Sequence, residues 1–311
     1  MARPAIGEAP ARSIALDGAS GAAKAGAVLG GLPTASRMLP GQRWREALGQ
    51  NRPILCGLLG KRCRGLTYRG ISYSAHKPAV ATYIDAQQGW LYGYTNFNSV
   101  RFSTSPAVEV TMAVGARPTL GPFEFDIGAA YYYYPGELGP ELSNYWEAHA
   151  TVSYKLTDKI TLAPTLAYAP NVWQTGAWGT YAAGMFSFDL PSELLPADVG
   201  WTLSVDIGRW LFGPTSSGGG VSAAGGGLPL PDFTNWRAGL TFTYSVFKLG
   251  LNYTDTNLSK ENCYILTGDL GAIPGGIANP GNNPFGLRSG LCGATFSATL
   301  GFDINPATLG P

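Results

Sequence analysis

Seven segments of this chain alternate apolar and polar residues with a period of two. Trp146, Ala148, Ala150, Val152, Tyr154 and Leu156 interleave with Glu147, His149, Thr151, Ser153 and Lys155. Trp201, Leu203, Val205 and Ile207 interleave with Thr202, Ser204, Asp206 and Gly208. The same rhythm runs through 108–115, 123–128, 236–245, 247–254 and 294–303. Successive side chains of a strand point to opposite faces, so each row lines one face of a sheet. The pattern calls for an all-β fold. It leaves two architectures open: a soluble sandwich with its apolar row inward, and a transmembrane barrel with its apolar row toward lipid.

Three features choose the barrel. Several alternating segments run 9–12 residues, whereas ordinary strands average about 5–6 residues and a tilted strand crosses a bilayer in about 9–11. Trp146, Trp201 and Trp236 begin apolar rows, and Tyr133, Tyr168 and Tyr253 end them. Aromatic girdles at two membrane interfaces place rings there. The connections also differ between the two ends of the strands. Twelve strands are expected, near 65–72, 79–87, 89–98, 107–116, 121–134, 144–156, 159–169, 177–189, 199–211, 233–245, 246–255 and 292–304. Connections after even strands are mostly tight, and those after odd strands are long, as outer-membrane barrels have them. An even count places both barrel ends on the periplasmic side. The run Tyr131 to Tyr134 ends the fifth strand. Tyr131 and Tyr133 continue its lipid-facing row, while Tyr132 and Tyr134 face the barrel mouth.

Composition agrees with an apolar exterior. Charged residues make up 13% of the 311 residues and aromatics 12%; ordinary soluble domains carry about twice that charge. The net charge of +1 hides an asymmetry: residues 1–64 hold ten Lys/Arg against three Asp/Glu, and the rest hold eleven against seventeen. The organisation expected is a basic Ala/Gly/Pro/Arg-rich segment over 1–64, unstructured or a misassigned start, a barrel over 65–304 and a short tail over 305–311. Residues 1–64 contain no firm signal-peptide core. The stretch Ile160 to Phe188 lacks charge but contains Pro164 and Pro170 and alternates, so it reads as two strands and a loop rather than a spanning helix.

Three stretches resemble a known family. "YRGISYSAHKPAV" from Tyr68, "YYYYPG" from Tyr131 with "NYWE" from Asn144, and "NYTDTNLSKENC" from Asn252 ahead of Cys292 are similar to the TorF family of porin-like proteins, Gram-negative outer-membrane proteins of unknown function. The resemblance covers about residues 65–304. It implies a secreted β-barrel and a channel, and supplies neither substrate nor catalytic residues. Members carry a signal peptide just ahead of the Arg-Gly-Ile-Ser strand and end on an aromatic strand. This chain departs at both ends, and a tail after Phe302 is expected to weaken recognition by the barrel-assembly machinery.

The chemistry expected is that of a lumen. The inward rows carry Asp85, Glu109, Glu124, Asp126, Glu147 and Asp206 against Arg69, Lys155, Arg237 and Lys248, with His149 among them. Six acids against four bases predict a weak preference for cations, with an acidic wall facing a basic one. Glu147 and His149 share a face and could do acid–base work, but lining a wet lumen is the simpler role. No nucleophile-elbow, zinc-protease or phosphate-cradle motif occurs, so no enzyme, metal or cofactor is expected. A net acidic barrel excludes nucleic acid. Cys263 and Cys292 flank the last long loop. A bridge would staple its base in an oxidising compartment; two free thiols are the alternative. Cys56 and Cys63 match no metal spacing. The expected role is passive diffusion of small solutes or ions across the outer membrane, in contact with its lipid. A plugged structural or surface-interaction barrel is the rival, and a membrane enzyme using His149 comes third. Nothing in the sequence sets the oligomeric state.

Overall fold

In the computed structural model the described residues are 65–138, 143–191, 199–216 and 227–303. They belong to one compact unit. The expectations for residues 1–64, including Cys56 and Cys63, and for the tail beyond Asp303 fall outside them. Among the described residues no helix is long and apolar enough to cross a membrane.

The chain is all-β. After a small hairpin, β1 (Thr67–Tyr68) and β2 (Ile71–Ser72), one antiparallel sheet is built in chain order. Its strands are β3 (Ala81–Gln88), β4 (Leu91–Ser99), β5 (Val108–Ala116), β6 (Thr119–Leu120), β7 (Phe123–Tyr133), β8 (Tyr145–Lys155), β9 (Ile160–Ala169), β10 (Gly179–Asp189), β11 (Val199–Phe212), β12 (Phe233–Tyr244), β13 (Phe247–Thr256) and β14 (Thr295–Phe302). Each long strand pairs with its sequence neighbour, which is an up-and-down meander. The sheet has twelve strands, but their membership differs from the expectation. Residues 65–72 form no wall strand, and β6 continues β5. Ala116 faces Ile127 and Thr119 faces Glu124, so the register against β7 is unchanged across Arg117 and Pro118. Pro118 has no N–H to give the ladder and interrupts it. Pro164 does the same on β9, where the ladder with β8 passes from Thr165 to Leu162.

The wall therefore crosses from β3 to β14 in eleven passes among the described residues. The odd number makes the two edge strands run in the same direction, so the wall begins at the long-loop end and finishes at the short-turn end. This corrects the expectation that both barrel ends lie at one side. No backbone pairing between β3 and β14 is seen among the described residues. A side-chain bond spans the seam: the Tyr83 hydroxyl of β3 donates to Asp303, just after β14, at 2.5 Å, and Lys248 Nζ of the neighbouring β13 lies 2.6 Å from the same carboxylate.

Short turns gather at one end. Gln88 pairs with Leu91 and Tyr244 with Phe247, each closing a two-residue turn. Their first central residues, Gly89 and Ser245, have φ of +61° and +51°, the left-handed geometry that suits the twist of paired strands. The longer connections that follow β4, β7, β9, β11 and β13 leave from the other end. The last of them contains helix α1 (Lys260–Thr267), which is capped by Ser259 accepting from the Asn262 N–H.

The polarity of the wall is inverted relative to a soluble domain. On β11, Val205 is 44% exposed while Asp206 is 6% exposed. Met112, Val114, Ile127, Leu162, Leu166, Ile207, Leu249, Leu251 and Leu300 are also exposed, whereas Glu109, Thr111, His149, Thr151, Thr165, Ser204, Arg237 and Ser297 are buried. A continuous apolar surface this large is untenable in water and suits a hydrocarbon solvent. Rings edge the belt. Tyr131, Tyr133, Trp146 and Tyr168 are outward and exposed near the long-loop end, where half-buried Trp236 and Tyr253 join the same outward face. Trp201 stacks on Phe242 at 6.2 Å near the short-turn end.

An arginine at an outward mid-strand position meets lipid with no partner. Val205→Arg should cost about 2–4 kcal/mol of folding free energy in phospholipid bilayers, and Val205→Leu should be near neutral. Urea titration in liposomes reads both. Equal costs would mean that Val205 does not face lipid.

Candidate functional site

The inner space near the long-loop end is filled by the β1–β2 hairpin. Its two-residue turn is Arg69-Gly70, with φ of +48° and +81°, so both central residues are left-handed as a type I′ turn requires. The hairpin is tied at its open end: Tyr73 N–H donates to Leu66 O, Arg101 N–H to Tyr73 O and Ser72 N–H to Leu291 O, each at 2.8 Å. Leu291 belongs to the loop that the Cys263–Cys292 disulfide closes. Cys292 O in turn accepts from Thr256 Oγ1 at 2.7 Å. The staple, the last long loop and the hairpin are thus one connected structure.

Arg69, expected on a wall strand, sits at the hairpin tip instead. Its Nη2 donates to both carboxylate oxygens of Glu147 on β8 at 2.8 Å. The guanidinium carbon lies 4.1 Å from the ring centre of Tyr181, 4.3 Å from that of Trp210 and 4.8 Å from that of Tyr68. Aromatic faces attract a cation most when water is excluded, and Arg69 and Glu147 are each 2% exposed. Burial is the largest single influence and works against the guanidinium charge, but Glu147 and the surrounding tyrosines together hold the Arg69 pKa above its ordinary value.

Tyrosines pack around this pair. Tyr132 stacks on Tyr145 with centroids 4.6 Å apart, and its hydroxyl meets that of Tyr68 at 3.1 Å. The Tyr134 hydroxyl donates to Glu109 at 2.9 Å, and Asn98 donates to the other oxygen of that carboxylate at 2.8 Å. The tyrosine run thus splits by parity: Tyr131 is 40% exposed and Tyr132 3%. The inward rings belong to a packed plug, not to an open mouth.

Closer to the short-turn end a second polar cluster fills the interior. Arg117 reaches inward from the β5–β6 junction. Its Nε lies 3.2 Å from Asp126, and its Nη1 3.3 Å from Asp85 and 3.2 Å from Gln87. Its guanidinium stacks 3.7 Å from the Tyr92 ring centre. The Tyr92 hydroxyl donates to Asp126 at 2.9 Å, and His149 Nε2 lies 3.2 Å from both groups. Gly115 and Gly128, paired across β5 and β7, make this possible: a Cβ on either would come within 2.8 Å of the Tyr92 side chain.

The remaining inward charges are paired too. Glu124 bonds Lys155, whose side chain is 51% exposed at the rim. Arg237 Nε donates to Asp206 at 2.6 Å. These pairs replace the picture of an acidic wall opposite a basic one: Asp85, Asp126, Glu124 and Asp206 meet bases from the wall, Glu147 meets Arg69 of the hairpin, and Glu109 is held by Asn98 and Tyr134. Sequence reasoning missed Arg117 and Tyr92 among the site residues. Arg117 precedes a proline in a turn, and Tyr92 is one tyrosine among sixteen; the inward glycines opposite it were the available signal. The remaining histidine, His76, bonds Gly290 O at 3.1 Å in the loops. Among the described residues no group of His, Cys, Asp and Glu could hold a metal ion. His149 has a carboxylate and a phenol at hand, but all three are buried within the wall cluster.

The sequence matches the family described as "Bacterial protein of unknown function (Gcw_chp)" over residues 64–269. The chain belongs to this family. The match covers the hairpin and the wall from β3 to β13, and ends just past α1. No curated protein matches the chain. Among solved structures, a loop-deletion mutant of OmpT, an outer membrane protein of Vibrio cholerae, is 12% identical, with a TM-score of 0.31 over 68% of this chain and 66% of that one. OccAB4 of Acinetobacter baumannii is 9% identical, with a TM-score of 0.31 over 67% and 55%. LpxR from Salmonella typhimurium is 10% identical, with a TM-score of 0.32 over 60% and 84%. The chain spans less than two thirds of the length of the first two.

Removing one member of a buried ion pair strands the other. Glu147→Gln and Arg69→Met, each alone, should destabilise by about 3–5 kcal/mol, and the double variant by clearly less than the sum. Urea unfolding in detergent measures the cycle. Strict additivity would show that the pair carries no coupling.

Proposed function

We propose that this protein is an outer-membrane barrel that is closed at rest by its own N-terminal hairpin, and that it passes small solutes or ions when the hairpin leaves the lumen. The lipid-facing belt and the two levels of rings support the membrane setting. The resemblance to the TorF family points the same way. The observation that carries the reading is the Arg69–Glu147 pair at the long-loop end. It fastens a ten-residue hairpin region, 65–74, whose residues are all buried, inside the sheet rather than within its ladder. A device built from a turn, an ion pair and stacked rings is removable without breaking a wall strand. A wall segment would not be.

The path would conduct with little charge preference. Arg117 joins the inward bases, and the described carboxylates facing the lumen are neutralised in place by Arg69, Arg117, Lys155 and Arg237. Rings of unpaired charge are what select ions, and Glu109, bonded to an amide and a phenol, is the exception. The role is non-enzymatic in this reading. Its partners are membrane lipid and the solute.

One observation favours a second reading, a permanently closed structural barrel. Below the hairpin, Thr161, Ala163, Thr165, Ser187 and Ser204 remain buried, so the interior is packed well beyond the plug.

Planar-bilayer recordings separate the two. Wild-type protein should be mostly silent. Tyr68→Ala/Arg69→Ala should raise the time spent open at least tenfold, with a reversal potential near zero in a potassium chloride gradient. Variants as silent as the wild type would favour the structural barrel. A wild type already fully open would sink the closure by the hairpin.

A further inference from the structure

We propose that the pocket now filled by Arg69 is a recognition site for a solute bearing a guanidinium group, and that Arg69 occupies it as an internal stand-in. This rests on the closed-barrel reading above and names what would open it.

The wall side of the pocket is built without the hairpin. Glu147 stands on β8, Tyr181 on β10 and Trp210 on β11. Trp210 is wedged among Phe212, Trp173 and Phe233, with centroids 4.8, 5.3 and 6.0 Å away. Glycines make room for both rings. A Cβ on Gly208 would lie 2.1 Å from the Tyr181 hydroxyl, and one on Gly179 would lie 2.8 Å from the indole nitrogen of Trp210. If the hairpin left, a buried carboxylate would remain beside two fixed aromatic faces. That combination recognises a planar, delocalised cation.

Arg69 fills the pocket imperfectly. A single nitrogen, Nη2, serves both oxygens of Glu147. Nε and Nη1 are buried and have no hydrogen-bond partner among the described residues. The Trp210 indole nitrogen and the Tyr145 hydroxyl are buried and unpartnered too. A guanidinium matches a carboxylate best through two parallel N–H bonds. The tethered side chain does not reach that geometry, and its backbone stands at a φ of +48°, where residues other than glycine are strained. A free guanidinium is held by no backbone. It can turn in the plane to present two nitrogens to Glu147. Buried donors left unpaired are costly, so the untethered ligand has an advantage that Arg69 lacks. Ligand binding and hairpin release then become one equilibrium, because the pocket holds only one of the two.

The test uses full-length protein in detergent micelles and methylguanidinium chloride as probe, against sodium chloride at equal ionic strength. Arg69→Ala should bind methylguanidinium saturably, read by tryptophan fluorescence, at least tenfold more tightly than the wild type. Adding Glu147→Gln should abolish that binding. In the unmodified wild type, saturating methylguanidinium should speed chymotryptic cleavage after Tyr68 at least tenfold, a readout that needs no variant to fold. Absence of saturable binding to folded Arg69→Ala, binding that survives Glu147→Gln, or cleavage unchanged by the probe would each overturn the proposal. Conductance is scored separately. Binding without any conductance upholds the pocket and rejects the channel, whereas conductance of the hairpin variants without binding rejects the pocket alone.

Discussion

A wall one strand thick offers each side chain two destinations, and in this protein the two have opposite solvents. Everything else follows from that constraint. Outward positions need only be apolar, with rings toward the rims where a hydroxyl or indole N–H reaches polar surroundings. Inward positions are harder to fill. A narrow lumen excludes bulk water, so each inward polar group needs a partner. Thr151 bonds Thr165, Asp206 bonds Arg237 and Asp126 bonds Arg117, His149 and Tyr92. The interior is a set of local settlements between neighbouring strands, not a field stretched between opposite walls.

The hairpin is the point where this arrangement departs from a simple barrel. It brings one cation across the lumen to a carboxylate that has no other hydrogen-bond donor among the described residues. Buried ion pairs contribute little net stability, because desolvation offsets attraction. They discriminate well between one docked geometry and all others. Arg69–Glu147 suits a latch in that sense: it specifies where the hairpin sits more than how tightly. The Cys263–Cys292 staple matters for the same reason, since it holds the loop whose Leu291 carbonyl receives Ser72.

Much of this was legible in the residues before any fold was known. The period-two rows decide strand, face and length together, because a strand's geometry repeats every two residues wherever it sits. The segments 144–156, 199–211 and 233–245 lie within a residue or two of β8, β11 and β12. The pairing of short turns with long loops followed as well, since loop length is a property of the chain itself. The split of Tyr131 to Tyr134 into two outward and two inward rings needed only parity.

Parity could not say whether a strand-like stretch joins the wall. Tyr68 to Ser72 reads as extended and carries at its centre an Arg-Gly pair that suits either a continuing strand or a type I′ turn. Two-residue strands leave too few alternations to tell these apart. Which charge meets which is equally hidden, because inward residues of similar spacing on several strands are interchangeable until register and curvature bring particular pairs within 3 Å. The sequence by itself determined a sheet with a lipid-compatible outside and a polar inside, since both depend only on the two-residue repeat. The tertiary structure alone decided that the inside is packed near the long-loop end, that Arg69 comes from a hairpin and that Arg117 rather than a distant wall answers Asp126, since those facts depend on contacts between residues far apart in the chain.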